Sequence, residues 1–235
     1  MIRFITTVAL ALPLFAFATP PEVVPSPVDH LFVPKGFDNN DNVSVVVTGK
    51  YPNPCYVRNG SEVEVKDEKI FITVTALRRE GASECDPMTV PFSEEITIGN
   101  LQAADYEILV NHGSRHEQSE KLSVAVSRST GVDDHIYAIV DYVELGFTGG
   151  LSGDALLMAR SPSDCLVFDR VEYISNDKDT VSILPIMKKV SETCQEKTRR
   201  FEIPVKFKPA AIPHKDILLY VRSIEGKAIH TLINR

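Results

Sequence analysis

The sequence predicts an all-β protein of two tandem immunoglobulin-like β-sandwich domains, each with one internal disulfide. Three observations support this prediction. Many segments alternate apolar and polar residues with a period of two, which is typical of strands that are buried on one face. Turn clusters separate these segments at spacings of about ten residues, and a phrase that contains proline and cysteine occurs twice. No part of the chain alternates strands with helices, as a parallel α/β sheet requires.

The strand pattern is clearest in the segment KIFITVTAL, residues 69–77. Ile70, Ile72 and Val74 face one way, and the residues between them face the other. Similar segments are NVSVVVTG, EEITIGNL, DYEILVN and KLSVAVS in the first half, and HIYAIVDYVEL, DALLMAR, TVSILPI, FEIPVKF and DILLYVR in the second. The turn clusters NNDN, VKDEK, GASECDP and SNDKD lie between them. About seven short strands per hundred residues is the pattern of a sandwich.

The repeated phrase is YPNPCYV at residues 51–57 and SPSDCLV at residues 161–167. In each copy a proline precedes the cysteine by three residues, and the next cysteine follows 30 residues later in the first copy and 29 in the second. The matched positions are Val46 with Leu156, Val47 with Leu157, Pro52 with Pro162, Ile72 with Val181, Val74 with Ile183, and Phe92 with Phe201. A repeat of this length indicates two domains rather than a solenoid, whose repeats are shorter.

The four cysteines are Cys55, Cys85, Cys165 and Cys194. An even number in an exported protein favours disulfides, and four cysteines allow three pairings. If each repeat is a complete domain, the pairs are Cys55–Cys85 and Cys165–Cys194. The alternative is four free or differently paired thiols.

The N-terminus has the layout of a secretory signal peptide. Arg3 precedes an uncharged run from Phe4 to Ala18, and small residues at positions 16 and 18 form a cleavage site before Thr19. The run is shorter than the roughly 20 residues that a spanning helix needs. We therefore predict a signal peptide at residues 1–18, a Pro-rich leader at 19–30, a first β-sandwich at 31–128 and a second at 129–235.

The net charge of −7 is spread along the chain. Nucleic acids and anionic membranes require clustered Lys and Arg, so neither is predicted as a partner. No segment after the signal peptide is apolar enough to span a bilayer. The protein is expected in the periplasm or outside the cell.

A resemblance adds to this prediction. An apolar strand, Pro-x-x-Cys, an amphipathic strand, a second Cys and the phrase PFSEEITIGNLQAADYEILVN follow one another in the first copy. This order resembles small exported bacterial immunoglobulin-like domains with a disulfide, over residues 43–126, whereas the second copy lacks the last phrase. The resemblance implies fold and location, and no catalytic motif. A pilus-assembly chaperone has a similar length, but its basic anchor residues and long alternating edge strand are not found.

Two loops are the candidate partner-binding elements. The loop at residues 111–120 carries His112, Arg115 and His116, and the Gly-rich loop at residues 147–153 carries Phe147 and Leu151. Sandwich scaffolds expose such loops for contact with partners.

Three further segments suggest a metal ion or a nucleophile only weakly. His112 and His116 would need a distant ligand, such as the DDH at residues 133–135, to hold a metal, and an exposed hairpin is favoured. FDNNDN at residues 37–42 lacks EF-hand spacing and is interpreted as a turn. GLSGDA at residues 150–155 lacks the Gly-x-Ser-x-Gly nucleophile motif. No metal and no cofactor is predicted.

The predicted function is a non-enzymatic exported interaction module that binds another protein or an envelope component. The alternative is a secreted protease inhibitor that presents the disulfide-braced loop YPNPCYV. A third hypothesis, an exported hydrolase, depends only on scattered His and Asp residues.

Overall fold

The computed structural model describes residues 20–79, 85–146, 153–207 and 215–234. These residues form strands joined by turns, with one 3₁₀ turn at Ile224–Gly226. The strands of the first half are β1 (Glu22–Pro25), β2 (Val28–Phe32), β3 (Phe37–Asp38), β4 (Val43–Tyr51), β5 (Tyr56–Lys66), β6 (Lys69–Arg78), β7 (Val90–Gly99), β8 (Ala104–Val110) and β9 (Gln118–Ala125). Those of the second half are β10 (Ile136–Tyr137), β11 (Ile139–Leu145), β12 (Gly153–Ser161), β13 (Leu166–Ser175), β14 (Thr180–Lys189), β15 (Arg199–Phe207), β16 (Asp216–Arg222) and β17 (Ala228–Asn234). The predicted signal peptide, residues 1–18, lies outside the described residues, as do Phe147 and Leu151.

The first sandwich has a small and a large sheet. The small sheet is β2-β4-β7, and all its pairings are antiparallel. In the large sheet, β5 pairs along one side of β6, and β1 and β8 pair with different parts of its other side. Beyond β8 the sheet continues with β9 and then β3. β6 and β8 are parallel, unlike the purely antiparallel sheets of an immunoglobulin domain. Ile70, Ile72 and Val74 are buried between the two sheets, on the face that the period-two pattern predicts.

The second sandwich repeats this topology. Its small sheet is β11-β12-β15, and in its large sheet β14 pairs with β13, β10 and β16 as β6 does with β5, β1 and β8. In each sandwich the chain passes from an edge strand of the large sheet, β1 or β10, to an edge strand of the small sheet, β2 or β11. The hydrogen bond at this crossing is also repeated: Ser26 N donates to Val74 O in the first sandwich, and Ala138 N donates to Pro185 O in the second. The parallel ladders match Ile72 with Ile183 rather than with Val181. The predicted match was therefore wrong by two residues, because Ile72 precedes Cys85 by 13 residues whereas Ile183 precedes Cys194 by 11.

Each sandwich has its own disulfide. Cys55 is bonded to Cys85 with Cα atoms 6.2 Å apart, and Cys165 to Cys194 with Cα atoms 5.2 Å apart. Each bond joins the segment before one strand of the large sheet, β5 or β13, to the segment before the last strand of the small sheet. The prediction of two tandem sandwiches with one internal disulfide each is confirmed.

The predicted leader contributes strands to the first sandwich. Residues 22–25 form β1, which pairs with β6, and residue 30 lies inside β2, which pairs with β4. Pro25 and Pro27 interrupt the period-two pattern of this segment. Proline is tolerated here because β1 and β2 lie at sheet edges and the chain changes sheets between them.

The two sandwiches pack face to face. Alternate residues of β16 serve different cores: Ile217, Leu219 and Val221 belong to the second, whereas Leu218 and Tyr220 join the first. The hairpin β16–β17 thus covers the outer surface of the small sheet β2-β4-β7. This explains why β4 is buried on both faces, a property typical of strands with a continuous apolar run such as VSVVV. The molecule is therefore a stack of four sheets.

Candidate functional site

A groove lies on the rim of the first sandwich, where β1 meets the turn between β8 and β9. Its volume is about 240 Å³. Its lining residues are Val24, Pro25, Pro27, Pro52, Tyr56, Arg78, Ser114, Arg115 and His116. Prolines and a tyrosine form its apolar walls, and two arginines and a histidine supply the polar atoms. The groove brings together the loop YPNPCYV and the loop at residues 111–120, which lie far apart in the sequence.

Asn111 holds the turn of the groove in place. Its side chain is buried: Oδ1 accepts a hydrogen bond from Val74 N at 2.8 Å, and Nδ2 donates one to Ser26 O at 3.0 Å. Its φ of 48° lies in the left-handed region, which Asn tolerates better than most residues. Ser114 N donates to Asn111 O, and His116 N donates to Ser114 Oγ. One buried amide therefore fixes the turn relative to the kink between β1 and β2.

The other wall is also fixed by short-range bonds. Asn53 Oδ1 accepts a hydrogen bond from Cys55 N at 3.0 Å, so the YPNPCYV loop is a compact turn. Tyr51, which begins this turn, is buried and stacks on Phe92 with ring centroids 4.5 Å apart. Together with the Cys55–Cys85 disulfide, these contacts make the wall rigid.

Arg115 is the main charged group of the groove. It is exposed, and its Nε donates to His116 Nε2 at 2.9 Å, so His116 accepts this bond as a neutral imidazole. Partial burial and the neighbouring Arg115 lower the pKa of His116, against an opposing effect of Asp29. None of the ion pairs within the described ranges includes Arg115, whereas Arg78 pairs with Glu22. The guanidinium of Arg115 is thus available to an acidic group from outside.

His112 lies outside the groove lining. Its Nδ1 is 3.3 Å from Glu117 Oε1, and its ring contacts Phe71 edge-on at a centroid distance of 6.0 Å. Gly113 N also donates to Glu117, and these two partners lower the pKa of Glu117. In the part of the chain that the structure describes, no three His, Cys, Asp or Glu side chains are grouped to hold a metal ion. Nor does any helix there have the length and apolarity needed to cross a membrane.

The FDNNDN loop contributes to the contact between the sandwiches. Asp41 is buried, and its Oδ2 accepts hydrogen bonds from Asp38 N at 2.7 Å and from Arg222 at 2.6 Å. Arg222 also donates to Tyr137 OH at 3.2 Å, and its guanidinium lies 4.7 Å from the ring centroid of Phe37. The turn predicted here is present, but its buried partner Arg222 is 181 residues away, and sequence reasoning missed it.

Asp133 lies in the linker, the segment between β9 and β10 that joins the two sandwiches, and it completes this cluster. Its Oδ1 is 3.6 Å from Arg222, and its side chain is 12% exposed. Burial is the main cause that raises the pKa of Asp133 to about 6, with Asp41 adding to it and Arg222 opposing it. The same burial, with neighbouring Asp41 and Asp134, raises the pKa of Asp38.

A second polar cluster lies elsewhere in the contact between the sandwiches. His30 Nε2 is 2.8 Å from Asp179 Oδ2, and Asp179 is buried. Burial raises the pKa of Asp179, but hydrogen bonds from His30, Asn176 and Thr180 outweigh it, and the pKa is lowered overall. Between the clusters Ser44 Oγ is 2.7 Å from Tyr220 OH, and burial raises the pKa of Tyr220 to about 12.

Comparison with known proteins gives one match. No curated protein and no solved structure matches the chain. A family model described as the ORF11 beta-sandwich domain matches residues 45–123, from β4 into β9. This is about a third of the chain and lies wholly within the first sandwich, which also carries the groove. Over these residues the chain is similar to the ORF11 β-sandwich domain.

Proposed function

We propose that this protein is an exported, non-enzymatic binding module whose partner inserts an acidic side chain into the groove of the first sandwich. The observation that supports this proposal is Arg115. It is an exposed guanidinium without an acidic partner in the described ranges, and it lies beside apolar walls of proline and tyrosine. A guanidinium in such a setting forms charge-assisted hydrogen bonds with carboxylates, which are about twice as strong as neutral ones.

Export is supported by two features. The two disulfides indicate an oxidising, extracytoplasmic environment. The N-terminal sequence has the features of a secretory signal peptide, like that of the exported bacterial domains that residues 43–126 resemble. We infer that the mature chain begins at Thr19 and acts in the periplasm or outside the cell.

The rigidity of the groove favours specific binding. Asn111 fixes one wall, and the turn at Cys55 fixes the other. A wall that is already ordered loses little conformational entropy on binding, so more of the contact energy appears as affinity. His116 is held neutral by its contact with Arg115, and its pKa is lowered, so the groove keeps one net positive guanidinium near neutral pH.

The test is capture with a matched control. Oxidised chain 19–235, its Arg115→Ala variant and its Arg128→Ala variant are exposed to envelope and secreted extract. Arg128 is an exposed arginine of the linker, outside the groove. We expect the wild type and Arg128→Ala to capture the same saturable protein partner, with Arg115→Ala binding it at least tenfold more weakly, about 1.4 kcal/mol. Equal affinity of all three proteins, at unchanged melting temperature, contradicts the groove as the binding site.

The protease-inhibitor alternative uses the same YPNPCYV turn. Pro52 and Tyr56 line the groove, so a protease could contact this wall. However, the hydrogen bond from Cys55 N to Asn53 Oδ1 folds the turn back on itself. The turn therefore does not offer the extended backbone that pairs with the binding cleft of a protease. A panel of secreted serine, cysteine and metalloproteases tests the alternative. Stoichiometric inhibition that Pro52→Ala weakens favours it, and full protease activity throughout the panel counts against it.

A further inference from the structure

Strand β1 forms part of the groove and is held mainly by its backbone. Its four residues pair with residues 75–78, the last four of β6. Three of its four side chains are exposed, Val23 by 57%, and only Val24 is half-buried, where it lines the groove. Because burial of apolar side chains is the main force that holds a strand in place, β1 is weakly attached to the first sandwich.

The equivalent strand of the second sandwich, β10, is anchored by a buried side chain. The repeated hydrogen bond at the crossing makes Ser26 equivalent to Ala138, so Pro25 corresponds to Tyr137. Pro25 is exposed, whereas Tyr137 is 2% exposed and its hydroxyl accepts a hydrogen bond from Arg222 at 3.2 Å. The fold therefore accommodates a buried anchor at this position, and β1 lacks it.

The backbone of β1 faces β6 at alternate residues. Ser26 N donates to Val74 O, and this bond sets the alternation. The N–H and C=O groups of Val24 and Glu22 therefore also point to β6, whereas those of Val23 point away. The side chains of Glu22 and Val24 lie on one face of the strand, the face that borders the groove. An extended segment with an acidic residue two positions before an apolar one matches this face.

Glu22 already occupies one cation of the groove. Its carboxylate forms an ion pair with Arg78, and the two side chains are 58% and 43% exposed. Arg78 lines the groove together with Arg115, which belongs to none of the ion pairs of the described residues. Since exposed ion pairs contribute little to stability, a carboxylate from a partner can replace Glu22. Within its own chain, β1 thus resembles the acidic ligand that the groove is proposed to bind.

We infer that β1 is an exchangeable strand, which the partner displaces by pairing an extended acidic segment of its own with residues 75–78 of β6. The inference rests on the function proposed above and names the form of the partner: a strand with an acidic residue for Arg78 and an apolar residue two positions later. On this side of β6, β8 pairs with residues 69–72, so the release of β1 uncovers four residues of sheet edge beside the groove. Extended peptides bind exposed sheet edges in this way.

The release of β1 ends at Ser26. This residue is fully buried, its N–H donates to Val74 O, and its carbonyl oxygen accepts a hydrogen bond from Asn111 Nδ2 at 3.0 Å. These bonds hold the chain at the crossing, and the strands from β2 onward keep their pairings. The exchange therefore changes one edge of the first sandwich and leaves its core intact.

A fluorescent peptide with the sequence of residues 19–26, TPPEVVPS, tests the exchange by anisotropy with the oxidised chain 19–235. In the wild type, β1 competes with the peptide from within the chain at an effective concentration of about 1 mM. Val24→Pro removes a backbone donor that points to β6, and its matched control Val23→Pro removes one that points away. We expect the peptide to bind Val24→Pro at least tenfold more tightly than it binds the wild type or Val23→Pro.

Glu22→Gln is a second variant that leaves the backbone of β1 unchanged. It frees Arg78 from its partner within the chain, so we expect about threefold tighter binding of the peptide. Glu64→Gln, at an exposed position of β5 outside the groove, makes the same charge change and should have no effect. A peptide with Gln in place of its Glu should bind each protein at least threefold more weakly.

Equal affinity of the peptide for all of these folded proteins, or binding to none of them, would overturn the inference. If Val24→Pro does not fold, Glu22→Gln and its control Glu64→Gln decide. The peptide assay depends on Arg78, and the capture assay depends on Arg115. Capture that Arg115→Ala weakens, without exchange of the peptide, therefore refutes the inference alone, and exchange of the peptide with capture unchanged in Arg115→Ala refutes the proposed function.

Discussion

Replacing Arg222 by methionine removes a buried ion pair from the contact between the two sandwiches. Methionine has a similar length but no charge, so the variant leaves the carboxylates of Asp41 and Asp133 buried without their cation. Asp41 is 1% exposed and Arg222 5% exposed, so water does not replace the lost bond. Removing one partner of a buried ion pair costs about 3–5 kcal/mol. We expect the free energy of unfolding to fall by this amount at pH 8.

Urea unfolding followed by far-UV circular dichroism measures the change. Because each sandwich contributes to one shared interface, the wild type should unfold in a single transition, and Arg222→Met should lower its midpoint or separate it into two. The loss should shrink at pH 5, where Asp133, whose pKa burial raises to about 6, takes up a proton instead of remaining buried as an anion. Asp41→Asn with Arg222→Met provides the double-mutant cycle, and we expect a coupling energy of about 1.5 kcal/mol or more. A loss below about 1 kcal/mol that is equal at both pH values would refute the role assigned to Arg222.

Three further predictions follow from single features of the structure. Burial raises the pKa of Asp133 to about 6 in the folded chain, so the folded state binds its proton more tightly than the unfolded state does; the free energy of unfolding should rise by about 2 kcal/mol as the pH falls from 7 to 4.5, and Asp133→Asn should flatten this rise in urea titrations. Replacing Cys165 and Cys194 together by serine opens a loop of 29 residues and should lower the free energy of unfolding by about 3–4 kcal/mol; a change below 1 kcal/mol would mean that the bond constrains little. Asn111→Ala removes two buried hydrogen bonds and should cost about 2–3 kcal/mol in thermal melts, while Asn111→Gly, which loses the same bonds but suits the left-handed backbone, should lose somewhat less; a loss below about 1 kcal/mol in both variants would show that the side-chain bonds do not hold the turn.

The elements that were predictable are those with a local signal. The period-two pattern of residues 69–77 placed Ile70 and Ile72 in the core, and the repeated Pro-x-x-Cys phrase indicated both disulfides. β1 was not predicted, because its prolines interrupt the strand pattern and its pairing partner β6 is about 50 residues away. Of the predicted partner-binding residues, Arg115 and His116 line the groove and His112 does not. The backbone is left-handed at Asn111 and Gly113, on either side of His112, and this turns His112 away from Arg115 and His116.

The packing of one sandwich on the other left a signal in the sequence. β14 is buried at eight consecutive positions, Thr180 to Met187, and β4 at five, Val43 to Val47. Strands that face solvent on one side alternate apolar and polar residues. The runs TVSILPIM and VSVVV therefore indicate strands that are covered on both faces. The polar partners across the interface gave no such signal, since His30 and Asp179 are ordinary residues in sequence and meet only in the folded chain.

The central claim is that the groove at Arg115 binds the partner. Hydrogen exchange of the chain with and without saturating captured partner tests it most directly. We predict slower exchange of the backbone amides at residues 113–116 and 53–57, with little change in the second sandwich. Protection confined to the second sandwich, with unchanged exchange at residues 113–116, would contradict the claim.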